Sequence, residues 1–383
     1  MRNSSEKKLQ RVVAYFCATL FALFSFVFVA FYQAPLLEIL YDHVATGKLE
    51  YNSIIVATII TVVLTLMALW LNRFAKFQRE WTAMAYLPSS LILAFITDID
   101  RTIYTGSASY MGWIVIFAIC LVVYVFFSFV LNRMLFEKIK NLAASTNRII
   151  WRNLILLVIL FLVSGTLSNG DGNIKREALA ANYLKDGDTG KALEVGYYSL
   201  DASKQLTVLR SFAMAKDGLL GERLFEYPQL YGADGLLPAL EQDSPLVPDS
   251  VFTMLGTTPS EREDALTFLE RAACVDSASH VAIEYYLSAL LLEKRLPEFK
   301  DALERLLDGP ESVDLPKHYR EALYLYASIE QCPLMDNGLE SLSASFDSLK
   351  SIEERYDDVI VRGNYVRKDF GRTYWWYFLY GIH

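Results

Sequence analysis

Histidine and cysteine are scarce in this chain, with four of each in 383 residues. No CxxC pair occurs, and His43, His280, His318 and His383 are scattered, so the ligand spacing of a zinc site is missing. There is no Walker loop, dinucleotide fingerprint, nucleophile elbow or HExxH helix either. These absences remove the usual signatures of nucleotide-dependent, metal-dependent and serine-type chemistry, and no cofactor is expected. Strand-like alternation is missing from the second half, where short helical runs alternate with turn residues. Positive charge is also short there. Residues 168–383 carry 22 Lys and Arg against 36 Asp and Glu, which argues against a nucleic-acid partner.

Long apolar sequence, by contrast, is plentiful in the first half. A spanning helix needs about 20 mostly apolar residues. Segments 12–32, 54–71 and 112–131 meet this without a charge, and 149–167 does so with Arg152 near its start, where a long side chain can snorkel. Segment 81–97 is uncharged but short and holds Pro88, so a re-entrant hairpin or a buried core helix is its alternative. Loop charge decides between them. Basic residues cluster at Arg2, Lys7, Lys8 and Arg11, at Arg73, Lys76 and Arg79, and at Arg133, Lys138, Lys140 and Arg148. The intervening loops offer only Lys48 and Arg101.

Positive loops stay cytoplasmic, so two crossings are expected between Arg79 and Arg133, and 81–97 is expected to span. The expectation is a five-helix transmembrane domain in residues 1–167, embedded in the lipid bilayer with its N-terminus cytoplasmic. Residues 168–383 then lie outside. The first span reads as a retained anchor, because its apolar run exceeds the roughly 7–15 residues of a signal-peptide core and no small-x-small site follows.

The outer half reads as all-α. Helical runs are expected at 174–185, 191–200, 203–216 and 219–226, then a loop over 228–248, then a new helix opened by a Ser260–Glu263 capping box. From there a repeat is visible. Asp264-Ala265-Leu266 recurs 37 residues later as Asp301-Ala302-Leu303, with Leu269 mapping to Leu306, Glu284 to Glu321 and Glu293 to Glu330. Two helices per 37 residues is close to the tetratricopeptide period, and such units stack into an α-solenoid with a concave binding surface. Its groove is expected along 261–273 and 299–307, and an irregular helical bundle is the alternative. Tyr285, Tyr286, Tyr324 and Tyr326 fall at helical spacing and read as core. Cys17 and Cys120 read as packing residues; a disulfide between Cys274 and Cys332 is allowed but not indicated.

Two places could carry function. Asp98 and Asp100 close the third apolar segment, and Glu38, Asp42 and His43 lie in the first outer loop. Such carboxylates could bind a divalent cation or serve as acid and base at a lipid-facing site. The plain alternative is a helix ending in water, with Arg101 neutralising one of them. The second place is the aromatic segment 373–380. Arg372, Tyr374, Trp375, Trp376, Tyr377 and Phe378, preceded by Arg367 and Lys368, suit a membrane interface or a partner surface. Packing of the rings as a solenoid cap is the alternative.

The run Leu219-Leu220-Gly221-Glu222-Arg223-Leu224-Phe225-Glu226-Tyr227-Pro228-Gln229, followed by Tyr231-Gly232-Ala233-Asp234-Gly235-Leu236-Leu237-Pro238, resembles a family of uncharacterised Bacteroidota membrane proteins. The ending Tyr374-Trp375-Trp376-Tyr377 is similar to that family's C-terminus. The resemblance implies several spans followed by a tetratricopeptide-like half, an inner-membrane location with a periplasmic domain, and no established activity. The expected function is therefore a membrane-anchored interaction or scaffolding module with a periplasmic protein or peptide partner. The competing expectation is an enzyme transferring glycan from a lipid-linked substrate, with Asp98 and Asp100 at its centre. A transporter is the weakest reading, because the three clean spans contain no ionisable residue.

Overall fold

A computed structural model describes residues 2–45, 51–75, 77, 79–100, 110–126, 146–238, 250–260, 263–275, 278–307, 315–331 and 342–381. Every regular element among them is helical. The chain forms two compact units, Met1–Lys175 and Arg176–His383.

The first unit holds α1 (Arg2–Val27), α2 (Ala34–Ala45), α3 (Ser53–Ala75), α4 (Leu87–Thr97), α5 (Met111–Phe126) and α6 (Thr146–Leu167). Among the described residues, three stretches are long and apolar enough to cross a membrane: Lys8–Tyr32, Ser53–Phe74 and Thr146–Leu167. α1 loosens into a π-turn over Phe28–Tyr32, where Phe24, Phe28 and Tyr32 stack in series with centroids 5.4 Å apart. Asn52 starts α3, its Oδ1 accepting the N–H groups of Ile54 and Ile55 at 3.1 Å.

Segment 81–97 is not the continuous helix expected of a span. Arg79–Tyr86 forms a 3-10 turn interrupted at Trp81 (φ −125°, ψ 17°), and α4 begins only at Leu87. Pro88 sits in the first turn of α4, where its missing N–H costs nothing. Eleven residues rise about 16 Å, roughly half of a hydrocarbon core. The segment is heavily buried, and several of its polar groups are met by neighbours, although the Tyr86 hydroxyl is buried without a hydrogen-bond partner. Ser89 Oγ donates to the Leu64 carbonyl (2.9 Å), and Ser164 Oγ donates to the Ser90 carbonyl (3.0 Å). Buried Asn153 accepts the Ala83 N–H at 2.8 Å, meeting a donor that the 3-10 turn leaves open. Of the fourth expected span, α5 covers 112–126, and 127–131 lie outside the described residues.

The chain continues through α7 (Gly172–Lys185), α8 (Thr189–Glu194), α9 (Lys204–Lys216), α10 (Leu220–Arg223), α11 (Ser250–Leu255), α12 (Ala265–Ala273), α13 (His280–Leu292), α14 (Leu296–Leu306), α15 (Lys317–Glu330), α16 (Ser343–Arg355), α17 (Val359–Phe370) and α18 (Tyr374–Tyr380). Asp188 caps α8 and Ser203 caps α9. α8 stops short of the expected Leu200 because the chain turns at Gly196 (φ 62°). The Ser260–Glu263 pair does not start α12. Asp264 caps it instead, accepting from Thr267 N–H at 3.1 Å, while Glu263 turns to Ser260 N–H (2.9 Å) and Arg271 (2.8 Å).

The 37-residue spacing holds for the second helices. Glu284 on α13 and Glu321 on α15 are both buried. Both helices also end at a left-handed residue 37 positions apart, Lys294 (φ 55°) and Gln331 (φ 52°), the non-glycine residues with positive φ among those described. The first helices do not keep this register. Asp264 is a cap, whereas Asp301 lies inside α14, because Leu296 and Pro297 start that helix immediately after α13.

Candidate functional site

At the end of α4, Asp98 Oδ2 accepts the indole N–H of buried Trp113 at 2.7 Å, and Trp113 packs edge-on to Phe95 at 5.3 Å. Asn169 bridges the strand-like ending: its Nδ2 donates to the Ile99 carbonyl, and its Oδ1 accepts Asp171 N–H at 2.8 Å. Asp98, Asp100 and Asp171 thus line one cleft of about 680 Å³ with Trp113 and Asn169. Glu38 and Asp42 lie on α2 and are not among its lining residues, and the side chain of His43 falls outside those described. Arg101 lies outside the described residues too. No group of three or more His, Cys, Asp or Glu able to hold a metal forms among the described residues. Of the sequence candidates, Asp98 and Asp100 share this cleft. Asp98 holds an indole in place.

The aromatic segment is pinned from several sides. Glu321 carboxylate accepts the Tyr374 N–H (2.7 Å) and contacts His318 Nδ1 (2.9 Å), while Trp375 Nε1 donates to the Glu321 carbonyl (2.7 Å). Tyr377 OH donates to the Leu292 carbonyl (2.8 Å), Trp376 Nε1 to the Gly363 carbonyl (3.3 Å) and Tyr380 OH to Glu353 (2.7 Å). Tyr374, Trp375 and Tyr377 are buried, and Trp376 and Phe378 are half-buried. α18 thus turns the first three rings against α13 and α15. The recess near the expected first-helix groove is lined by Ala273 at the end of α12, Cys274, Val275 and Ala278 after it, Ile283 of α13, and Arg305 and Leu306 of α14. Glu261 lies outside the described residues.

The larger opening of this unit lies elsewhere. A cleft of about 700 Å³ is lined by Tyr197, Tyr198 and Leu200, by residues 225–230, and by α17–α18 residues including Arg367, Lys368, Arg372, Trp376 and Tyr377. Phe225 at its base meets Tyr374 and Tyr377 at 5.0 and 4.9 Å. The two sequence patterns that carry the family resemblance, 219–229 and 374–377, therefore pack on each other. Gly221 is required there: a Cβ would sit 2.8 Å from the Tyr319 ring. Gly232 adopts φ 55° against the Glu293 carboxylate, which accepts Ala233 N–H at 2.8 Å.

Cations and rings alternate along the cleft wall. Arg372 lies over Tyr197 (5.1 Å), Tyr197 meets Tyr227 edge-on (5.4 Å), and Arg210 lies over Tyr227 (4.8 Å). Arg210 is only 2% exposed. Its Nη2 donates to the Val195 carbonyl at 2.7 Å, but Nε and Nη1 are buried without a protein partner. Burial pushes its pKa down to about 10, with nearby Arg176 adding to the fall and Tyr227 opposing it. Burial also raises the Tyr227 phenol. The sequence reading missed Tyr197, Tyr198, Tyr227 and Arg210. The one available signal was Arg210 itself, a lone charge inside the apolar run of α9.

The regular elements of the described residues are thus all helical, with apolar helices of membrane-spanning length and an aromatic, cationic cleft, and residues 257–381 match a family of unknown function (DUF6057). The matched stretch takes in the aromatic ending and the α13–α15 pair, and begins after the 219–238 pattern. No curated protein and no solved structure matches the chain.

Proposed function

We propose that this protein is a membrane-anchored interaction or scaffolding module of the cell envelope that docks a protein or peptide partner in its aromatic cleft. Five crossings, with the N-terminus in the cytoplasm of a bacterial inner membrane, carry its acidic helical unit into the periplasm. Segment 81–97 crosses in this reading as a 3-10 turn followed by α4, held by Ser and Asn contacts to its neighbours. The basic-loop parity supports that topology. The helical unit is a tetratricopeptide-like stack of the kind found in multi-span Bacteroidota proteins, a reading supported by the recurrence of Glu284 as Glu321 and of Lys294 as Gln331.

The observation that carries the function is the cleft's exposed aromatic lip: Tyr198 is 89% exposed beside a concavity of ligand size. A photo-cross-linking residue placed at Tyr198 in the full-length protein, in its native membrane, tests it. A discrete protein adduct at Tyr198, and none at the also highly exposed Ile360 outside the cleft, is the expected result. Absence of any adduct at Tyr198 removes the docking function.

A further inference from the structure

The chemistry of the cleft points to the kind of partner. The outer half is strongly acidic, yet residues 359–383 carry Arg362, Arg367, Lys368 and Arg372 against Asp369 alone. Three of these cations line the cleft. Of the two carboxylates lining it, Glu226 is already paired to Arg223 at 3.0 Å, leaving Asp369. Behind the ring wall lies Arg210, a buried cation without a carboxylate partner, so the wall is backed by positive charge. Beside the cations, Tyr198, Leu200 and Leu230 are exposed apolar surface.

We propose that the cleft binds an acidic peptide segment carrying a bulky apolar side chain, its carboxylates meeting Arg367, Lys368 and Arg372 and its apolar group resting on Tyr198 and Leu230. The inference rests on the reading of this unit as an interaction module and names the chemistry of its partner. Arginine suits carboxylate through its planar fork of donors, and the two arginines stand on rings, Arg367 on Trp376 and Arg372 on Tyr197. A bilayer surface is the weaker occupant. It needs several protruding rings, whereas Tyr198 alone of the rings lining the cleft is exposed, and the cations border a concavity.

The test uses the full-length protein in nanodiscs of zwitterionic lipid and fluorescence anisotropy of two labelled peptide pools. One pool contains Asp, Glu, Leu, Trp and Gly; the other replaces the acids by Asn and Gln. The acidic pool is expected to bind about tenfold more tightly and to weaken as NaCl is raised. Lys368→Gln with Arg372→Gln is expected to remove that preference while the protein stays folded, because the Arg372 contact to Lys317 is made by its backbone carbonyl and only the exposed stacking of Arg372 on Tyr197 is lost. Arg295→Gln, outside the cleft, is expected to change nothing.

Equal binding of the two pools, or full affinity in the double variant, overturns the inference. Displacement of the acidic pool by phosphatidylglycerol vesicles also overturns it, by assigning the cations to lipid. If the Tyr198 adduct persists while the acidic preference fails, only the partner's chemistry is wrong. If the adduct also fails, the docking function falls with it.

Discussion

Two buried glutamates at equivalent positions of the α13 and α15 helices have opposite circumstances. Glu321 is met by the Tyr374 N–H and His318 and ties α18 to the stack. Glu321→Ala leaves those donors buried and unmet, at a cost of about 3 kcal/mol. It is expected to lower the denaturation midpoint of the full-length protein and to make Trp375 fluorescence quenchable by solvent. Glu284 has only the exposed His280 at 3.9 Å, and its Oε2 is buried without a hydrogen-bond partner. Burial raises its pKa, with His280 opposing. The folded state therefore holds the Glu284 proton more tightly than the unfolded chain does. The resulting penalty grows as pH rises through the ordinary carboxylate range toward the raised folded value, and it vanishes below that range. Glu284→Gln is expected to stabilise the protein at pH 7 by about 1 kcal/mol, with the two melting curves converging near pH 4. A gain that persists undiminished in acid would contradict this.

At the level of elements, the helices were legible wherever one local signal decided them. Asp188 and Ser203 mark helix starts in the sequence and cap helices in the structure. Segment 81–97 is broken where its hydropathy is smooth, because hydropathy reports transfer into an apolar medium and not backbone continuity. What breaks it is the geometry at Trp81 and the helix start at Pro88, and what tolerates the break is Asn153, which comes 70 residues later in the chain. Asn153→Leu is expected to lower thermal stability in detergent by about 1–2 kcal/mol, because the Ala83 N–H then has no partner in an apolar setting. An unchanged melting temperature would mean that the 3-10 turn does not depend on that bond. The cleft was illegible for a related reason. Its walls come from residues 197–230 and 367–381, and neither stretch carries a motif that announces the other.

For the whole molecule, the charge contrast between the halves is what the sequence conveyed best. Residues 1–167 carry 14 basic and 8 acidic side chains, the reverse of the acidic remainder. Cys274 is exposed with a free thiol, whereas Cys17 is buried in the first unit. An impermeant maleimide applied to intact spheroplasts is therefore expected to label the wild-type protein and to label Cys274→Ser less. Labelling that requires membrane lysis would reverse the proposed topology.

Phe225 and Tyr377 meet across roughly 150 residues of chain, so this contact closes a large loop and is among the slowest kind to form. α9 and the α13–α15 stack can assemble through much nearer neighbours before the two walls join. The cleft thus takes its final shape at the end of folding, and under the proposed docking function a partner would meet only copies whose last helices have already packed.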